Sequence, residues 1–119
     1  MDKYRVRPDE TVDLGDHDPD DTRLLPGGKD EARKKNLELQ GRLGNLQELL
    51  YAGHEHKLLI VLQGMDTSGK DGTISHVMGG FNAAGTRVAS FRKPSEEELD
   101  HDYLWRVHQQ VPGKGEVVV

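Results

Sequence analysis

Gly64-Met65-Asp66-Thr67-Ser68-Gly69-Lys70-Asp71 puts two glycines at the ends of a six-residue loop, a lysine directly after it and two carboxylates close by. Glycine allows a backbone to approach a ligand with no Cβ in the way. Successive N–H groups in such a loop wrap a phosphate, and the helix that follows adds its positive end. Lys70 would set an ammonium on a transferred phosphate and stabilise charge as the bond breaks. The spacing is that of a P-loop, with one departure. Where a Ser or Thr normally reaches a metal, this chain has Asp71. Asp66 and Asp71 would repel a phosphate unless a divalent cation lay between, which makes Asp66 the candidate metal ligand or base. Thr67, Ser68, Asp71 and Gly72 complete the candidate phosphate cradle with Gly64, Gly69 and Lys70.

Such a loop works only between a strand and a helix. Lys57–Gln63 is a continuous apolar run, the pattern of a parallel strand covered on both faces. After the loop, Ile74, Val77 and Met78 lie on one side of a helix that Gly79-Gly80 closes. Upstream, residues 29–51 read as a helix whose apolar stripe is Leu39, Leu43, Leu46 and Leu50. Gly41 and Gly44 interrupt it at ~1 kcal/mol each relative to Ala. Downstream, residues 86–91 form a second strand, and Ser95 with Glu98 makes a capping box for a helix to about Gln110. That helix carries Leu99, Tyr103 and Val107 on one stripe, and Pro112-Gly113 stops it. Residues 116–119 open a third strand. The order α-β-α-β-α-β predicts a parallel sheet with right-handed crossovers. The terminal Val117-Val118-Val119 has no cap or turn, so the domain is expected to be truncated there.

Composition limits the rest. The 119 residues have the size of one small domain, and with no cysteine there is no disulfide or thiolate metal site. The net charge of −5 lies entirely in residues 1–22, where eight acids face three bases; the remainder is neutral. Residues 1–28 read as a polar, acidic leader. The start of a calcium loop at Asp16–Asp20 fails where Asp21 and Gly27 stand in place of the required Gly and Glu. There is no signal peptide or apolar span, which points to a cytoplasmic protein with no membrane role. Nucleic-acid binding finds no basic stripe or aromatic RNA-binding motif. His54, His56, His101 and His108 lack a third ligand at a fitting spacing and read as surface or structural groups. Trp105 and Tyr103 read as core aromatics, and Arg87, Arg92 and Lys93 as a solvated strand end rather than a basic patch.

The segments GMDTSGKDGTISHV, residues 91–116 with Leu104-Trp105-Arg106, LQELLYA at 46–52 and the opening KYRV with PD resemble the polyphosphate kinase 2 family across nearly the whole chain. Within it, the chain looks most like the class that uses both AMP and ADP. The resemblance implies a P-loop kinase-like α/β fold, with an N-terminal helix and the polar leader before it. It implies Mg2+-dependent phosphoryl transfer between inorganic polyphosphate and AMP, ADP or ATP, and a homo-oligomer for the complete enzyme. It assigns Asp66 and Lys70 as catalytic, Asp66 also as metal ligand, and Arg92, Lys93 and Arg106 to the polyphosphate path. In that family a second metal-binding Asp, nearby arginines and a helical lid follow the third strand. Residues 29–119 would be the N-terminal part of such a kinase domain without them, inactive or feeble alone. The alternatives are a non-catalytic phosphate-binding remnant and another P-loop small-molecule kinase; the Leu104-Trp105-Arg106 segment argues against the latter.

Overall fold

A computed structural model describes residues 5–23 and 27–119, so the Lys3-Tyr4 part of the N-terminal likeness lies outside the described residues. The chain divides into two compact units, Met1–Lys35 and Asn36–Val119. In the first, acidic side chains are engaged by the local backbone. Asp13 caps a 3-10 turn at Leu14–Asp16 by accepting the Gly15 N–H, and Asp18 accepts the Asp20 N–H. Asp21 takes Arg23 through two side-chain bonds of 2.8 and 2.9 Å. These bonds suit a leader built from Asx turns.

Helix α1 spans Gly28–Gly53, β1 Leu58–Leu59, α2 Lys70–Met78 and β2 Thr86–Arg87. Two short helices follow, α3 (Glu96–Leu99) and α4 (Trp105–His108), and then β3 (Val117–Val118). The sheet is parallel with order β1-β3-β2, so the last strand in sequence is the central one. Backbone pairing extends past the strand cores on both sides. Leu58 and Ile60 donate to Glu116 and Val118, while Val117 and Val119 donate to Gly85 and Arg87 and Ala89 donates to Val119. Val117 and Val118 are the buried hydrophobic core of the described residues, each 1% exposed. The continuous apolar run predicts a strand covered on both faces. Leu58, Leu59, Val61 and Leu62 of that run are instead exposed, because no described element fully covers the faces of β1.

The leucine stripe on α1 is covered only in part, with Leu39 and Leu50 half-buried. Leu43 and Leu46 are exposed, while Gln47 is buried at 3%. The contact runs one residue along, through Gln40, Gly44 and Gln47. A Cβ on Gly44 would come within 2.5 Å of the Gly80 carbonyl oxygen, and one on Gly80 within 2.8 Å of the Gln40 carbonyl oxygen. The glycine that weakens the helix locally therefore lets α1 approach the end of α2 backbone to backbone. Gln40 donates to the His76 carbonyl. Gln47 donates to the Ala84 carbonyl at 2.9 Å and accepts the Asn82 N–H at 3.1 Å. One buried amide thus satisfies two backbone groups of the turn that delivers the chain to β2.

The single helix expected from Ser95 to Gln110 is two helices. Asp102 accepts the Leu104 N–H at 2.8 Å, and its carbonyl accepts the Trp105 N–H. This Asx turn competes with the helix for the same donors. The break turns Leu99 and Tyr103 outward, at 66% and 82% exposed, so Tyr103 is not a core aromatic. The capping box itself is present, with both reciprocal bonds between Ser95 and Glu98.

Candidate phosphate-binding site

The loop between β1 and α2 has the conformation its residue types require. Gly69, the N-cap of α2, has φ of +83°, where a side chain would be strained. Thr67 adopts φ of +62°, uncommon for a β-branched residue. The Thr67 N–H is taken by the Asp66 carboxylate at 3.0 Å, and the Ser68 N–H by the Met65 carbonyl at 3.2 Å. Backbone strain of this kind, held by its surroundings, concentrates at functional sites. Gly64 has no room for a side chain: a Cβ there would sit 2.4 Å from Ser68 Oγ.

Lys70 folds back over the loop. Its ammonium donates to the Gly64 carbonyl at 2.9 Å, the Met65 carbonyl at 2.7 Å and Ser68 Oγ at 3.1 Å. All three protons of the ammonium are used, which ties the lysine to the mouth of the loop and the start of α2. The first N–H groups of α2 have no intrahelical acceptor, as at any helix start. The structure therefore brings Gly64, Ser68, Gly69 and Lys70 into one cradle, with Asp66 and Thr67 on its rim and Asp71 and Gly72 in the first helical turn. Asp66 and Asp71 offer hard oxygen donors. That chemistry fits a small divalent cation held by one or two carboxylates together with phosphate oxygens. Among the described residues no group of three or more acidic or histidine side chains converges as a self-sufficient metal centre. His101 instead stacks on Trp105 with ring centroids 4.1 Å apart.

Two clefts open beside the cradle. One, of about 460 Å³, is mainly apolar and includes Gly64, Lys70 and Asp71 in its wall with Leu59, Val61 and Phe91. The other, of about 440 Å³, is lined by Arg92, Lys93, Glu98 and Arg106. They share the segment Val88–Phe91 and Gln110 as a common wall. The residues expected on a polyanion path thus gather in one place, next to but outside the loop. Arg87 joins its guanidinium to the side chain and carbonyl of Gln110, so it is a structural tie of that wall and more than a solvated strand end. Sequence reasoning missed three participants: Gln110 with Arg87, Phe91 beneath Arg106, and Glu98 as the partner of Arg106. Only Glu98 had a signal, and it was absorbed by the capping box.

Strand, glycine-rich loop and helix, set in a parallel sheet at the carboxyl end of its first strand, define an α/β protein of the P-loop kinase type. The family model for polyphosphate kinase 2 matches residues 27–119. The chain belongs to the polyphosphate kinase 2 family. It is 58% identical over its full length to an AMP/ADP-polyphosphate phosphotransferase of Meiothermus ruber, of which it spans 45%. It is 40% identical over 98% of its length to an ADP-polyphosphate phosphotransferase of Rhodopseudomonas palustris, of which it spans 40%. The crystal structure of polyphosphate kinase 2 from Arthrobacter aurescens superposes on 97% of the chain with a TM-score of 0.87 at 38% identity, using 42% of that protein. The chain therefore spans less than half the length of these relatives. No helix among the described residues is long and apolar enough to cross a membrane.

Proposed function

We propose that this chain carries the phosphate-gripping part of a polyphosphate:nucleotide phosphotransferase that moves phosphoryl groups between inorganic polyphosphate and AMP or ADP. The observation that carries the reading is the Lys70 cradle between β1 and α2, in a chain 58% identical end to end to a protein of that named activity. In this reading, the loop N–H groups and Lys70 hold the phosphate that is transferred. Asp66, with Asp71 nearby, holds Mg2+ together with substrate phosphates; bound there, the ion neutralises phosphate charge. Arg92, Lys93 and Arg106 guide the rest of the polyanion along the neighbouring cleft. Residues 1–28 are a polar leader, and 29–119 the N-terminal part of the kinase domain. The complete enzyme works in the cytoplasm as a homo-oligomer.

The apolar side chains left open on β1 favour a second reading for the 119 residues alone, a phosphate-binding remnant without turnover. Incubating the purified, folded chain with polyphosphate, Mg2+ and AMP or ADP separates the two. Formation of ADP or ATP establishes the transferase. Polyphosphate binding without product limits these residues to phosphate binding, and absence of both refutes phosphate chemistry at this site.

A further inference from the structure

Arg106 is held in an unusual way for a residue that meets solvent. Its side chain is 20% exposed, and its Nη1 makes two bonds, to the Arg92 carbonyl at 3.0 Å and to the Glu98 carboxylate at 3.2 Å. The guanidinium carbon lies 5.0 Å from the centroid of the Phe91 ring. Both protons of Nη1 are therefore committed, and the guanidinium carbon sits over an aromatic ring. Among the described residues, Nη2 and Nε have no hydrogen-bond partner. That is the edge with which a guanidinium grips a phosphate bidentately.

Glu98 is the one acid lining a cleft that also holds Arg92, Lys93 and Arg106. Its Oε2 takes the Ser95 N–H at 2.8 Å as well as Arg106. One carboxylate thus fastens the start of α3 and the end of the arginine together. A plain helix cap has no need of the second bond, and an acid among bases lowers the attraction of the cleft for anions. The geometry points to Glu98 as the positioning residue for Arg106: it fixes the guanidinium so that its free edge faces the cleft, at the expense of part of the cleft's positive charge. This rests on the reading that the cleft receives the polyphosphate chain.

The two effects separate by substitution. Gln at position 98 keeps an acceptor oxygen but removes the opposing charge, so Glu98→Gln should bind inorganic polyphosphate about two- to fivefold more tightly. Glu98→Ala removes the same charge and also releases Arg106, and should show none of that gain. Ser95→Ala deletes a cap oxygen without touching Arg106, and should leave affinity unchanged. In the free protein, the Arg106 Nε–H resonance reports its seat on Phe91. It should move toward the unstructured position in Glu98→Ala and hold its place in Glu98→Gln and Ser95→Ala.

An Arg106 resonance unmoved by Glu98→Ala overturns the inference. So does an equal affinity gain in the Gln and Ala variants, or a Ser95→Ala variant that shifts Arg106 as far as Glu98→Ala. A wild-type chain that binds no polyphosphate, with Arg106 released only in Glu98→Ala, would instead refute the proposed function and leave the positioning contact standing.

Discussion

Replacing Lys70 with methionine tests the cradle most directly. The side chain keeps most of its length and loses its charge and its three donors. Those donors go to Gly64, Met65 and Ser68, all exposed residues. Water can replace the lysine at each acceptor, so the stability loss should be about 1 kcal/mol or less. Binding is different. A charge-assisted bond to phosphate contributes about 1.5–3 kcal/mol, but the ammonium must first give up at least one loop acceptor. The net difference is about 1–2 kcal/mol, or roughly five- to thirtyfold in polyphosphate affinity. Lys70→Arg keeps the charge, yet a planar fork cannot place three protons on acceptors arranged around one nitrogen. It should fall between wild type and Lys70→Met. Isothermal titration with polyphosphate of fixed length, beside circular dichroism to establish folding, measures both quantities. A folded Lys70→Met chain that binds within twofold of wild type would refute the role given to this lysine.

Gly64→Ala should distort the loop, because its Cβ would meet Ser68 Oγ at 2.4 Å, and phosphate titration should show weakened binding. Gly72→Ala meets nothing within 4 Å in the first part of α2, so urea unfolding should show a gain of about 0.5–1 kcal/mol. Gln47→Leu strands the Ala84 carbonyl and the Asn82 N–H, and the apolar gain offsets only part of that cost; urea unfolding should show a net loss of about 2 kcal/mol. The Ser95 N–H, and then Arg106, hold the Glu98 carboxyl below the ordinary carboxylate range against a raising effect of partial burial. Its contribution to stability is thus complete above the unfolded-state value and lost as pH falls through the folded one. The stability difference between wild type and Glu98→Gln, followed by unfolding at a series of pH values, should shrink over that acid window and stay flat above it.

The parts of this molecule that were legible in the sequence are those that local chemistry dictates. Gly69 before Lys70 reads as a loop entering a helix because few other residues adopt its backbone angles, and Ser95 with Glu98 reads as a cap because the reciprocal bonds are local. Apolar runs place β1 and β3, whereas β2 falls on Thr86-Arg87, ahead of the Val88 and Phe91 that point to it. The packing of α1 was not legible. Four leucines at helical spacing outweigh two glutamines and a glycine on any hydrophobicity count, yet Leu43 and Leu46 are exposed and Gln40, Gly44 and Gln47 make the close contact. What decides there is the carbonyl and N–H groups left by the turn before β2, which no pattern within α1 reports. The break between α3 and α4 is a near miss of another kind. Asp102 lies mid-helix by periodicity, and only its bond to the Leu104 N–H shows which of two local preferences prevails.

In the proposed reading, the central position of β3 relates the Lys70 loop to the arginine cleft through one strand. On one side β3 receives the Leu58 and Ile60 donors, which orient the strand feeding the Lys70 loop; on the other it receives Ala89, which begins the wall leading to Phe91 and Arg92. The cradle and the arginine cleft never bond to each other directly among the described residues. Each is registered against the same two valines, buried at 1% exposure. Lys70 and Arg106 are each positioned by their own neighbours: the Gly64 and Met65 carbonyls and the Ser68 hydroxyl for one, Glu98 and Phe91 for the other.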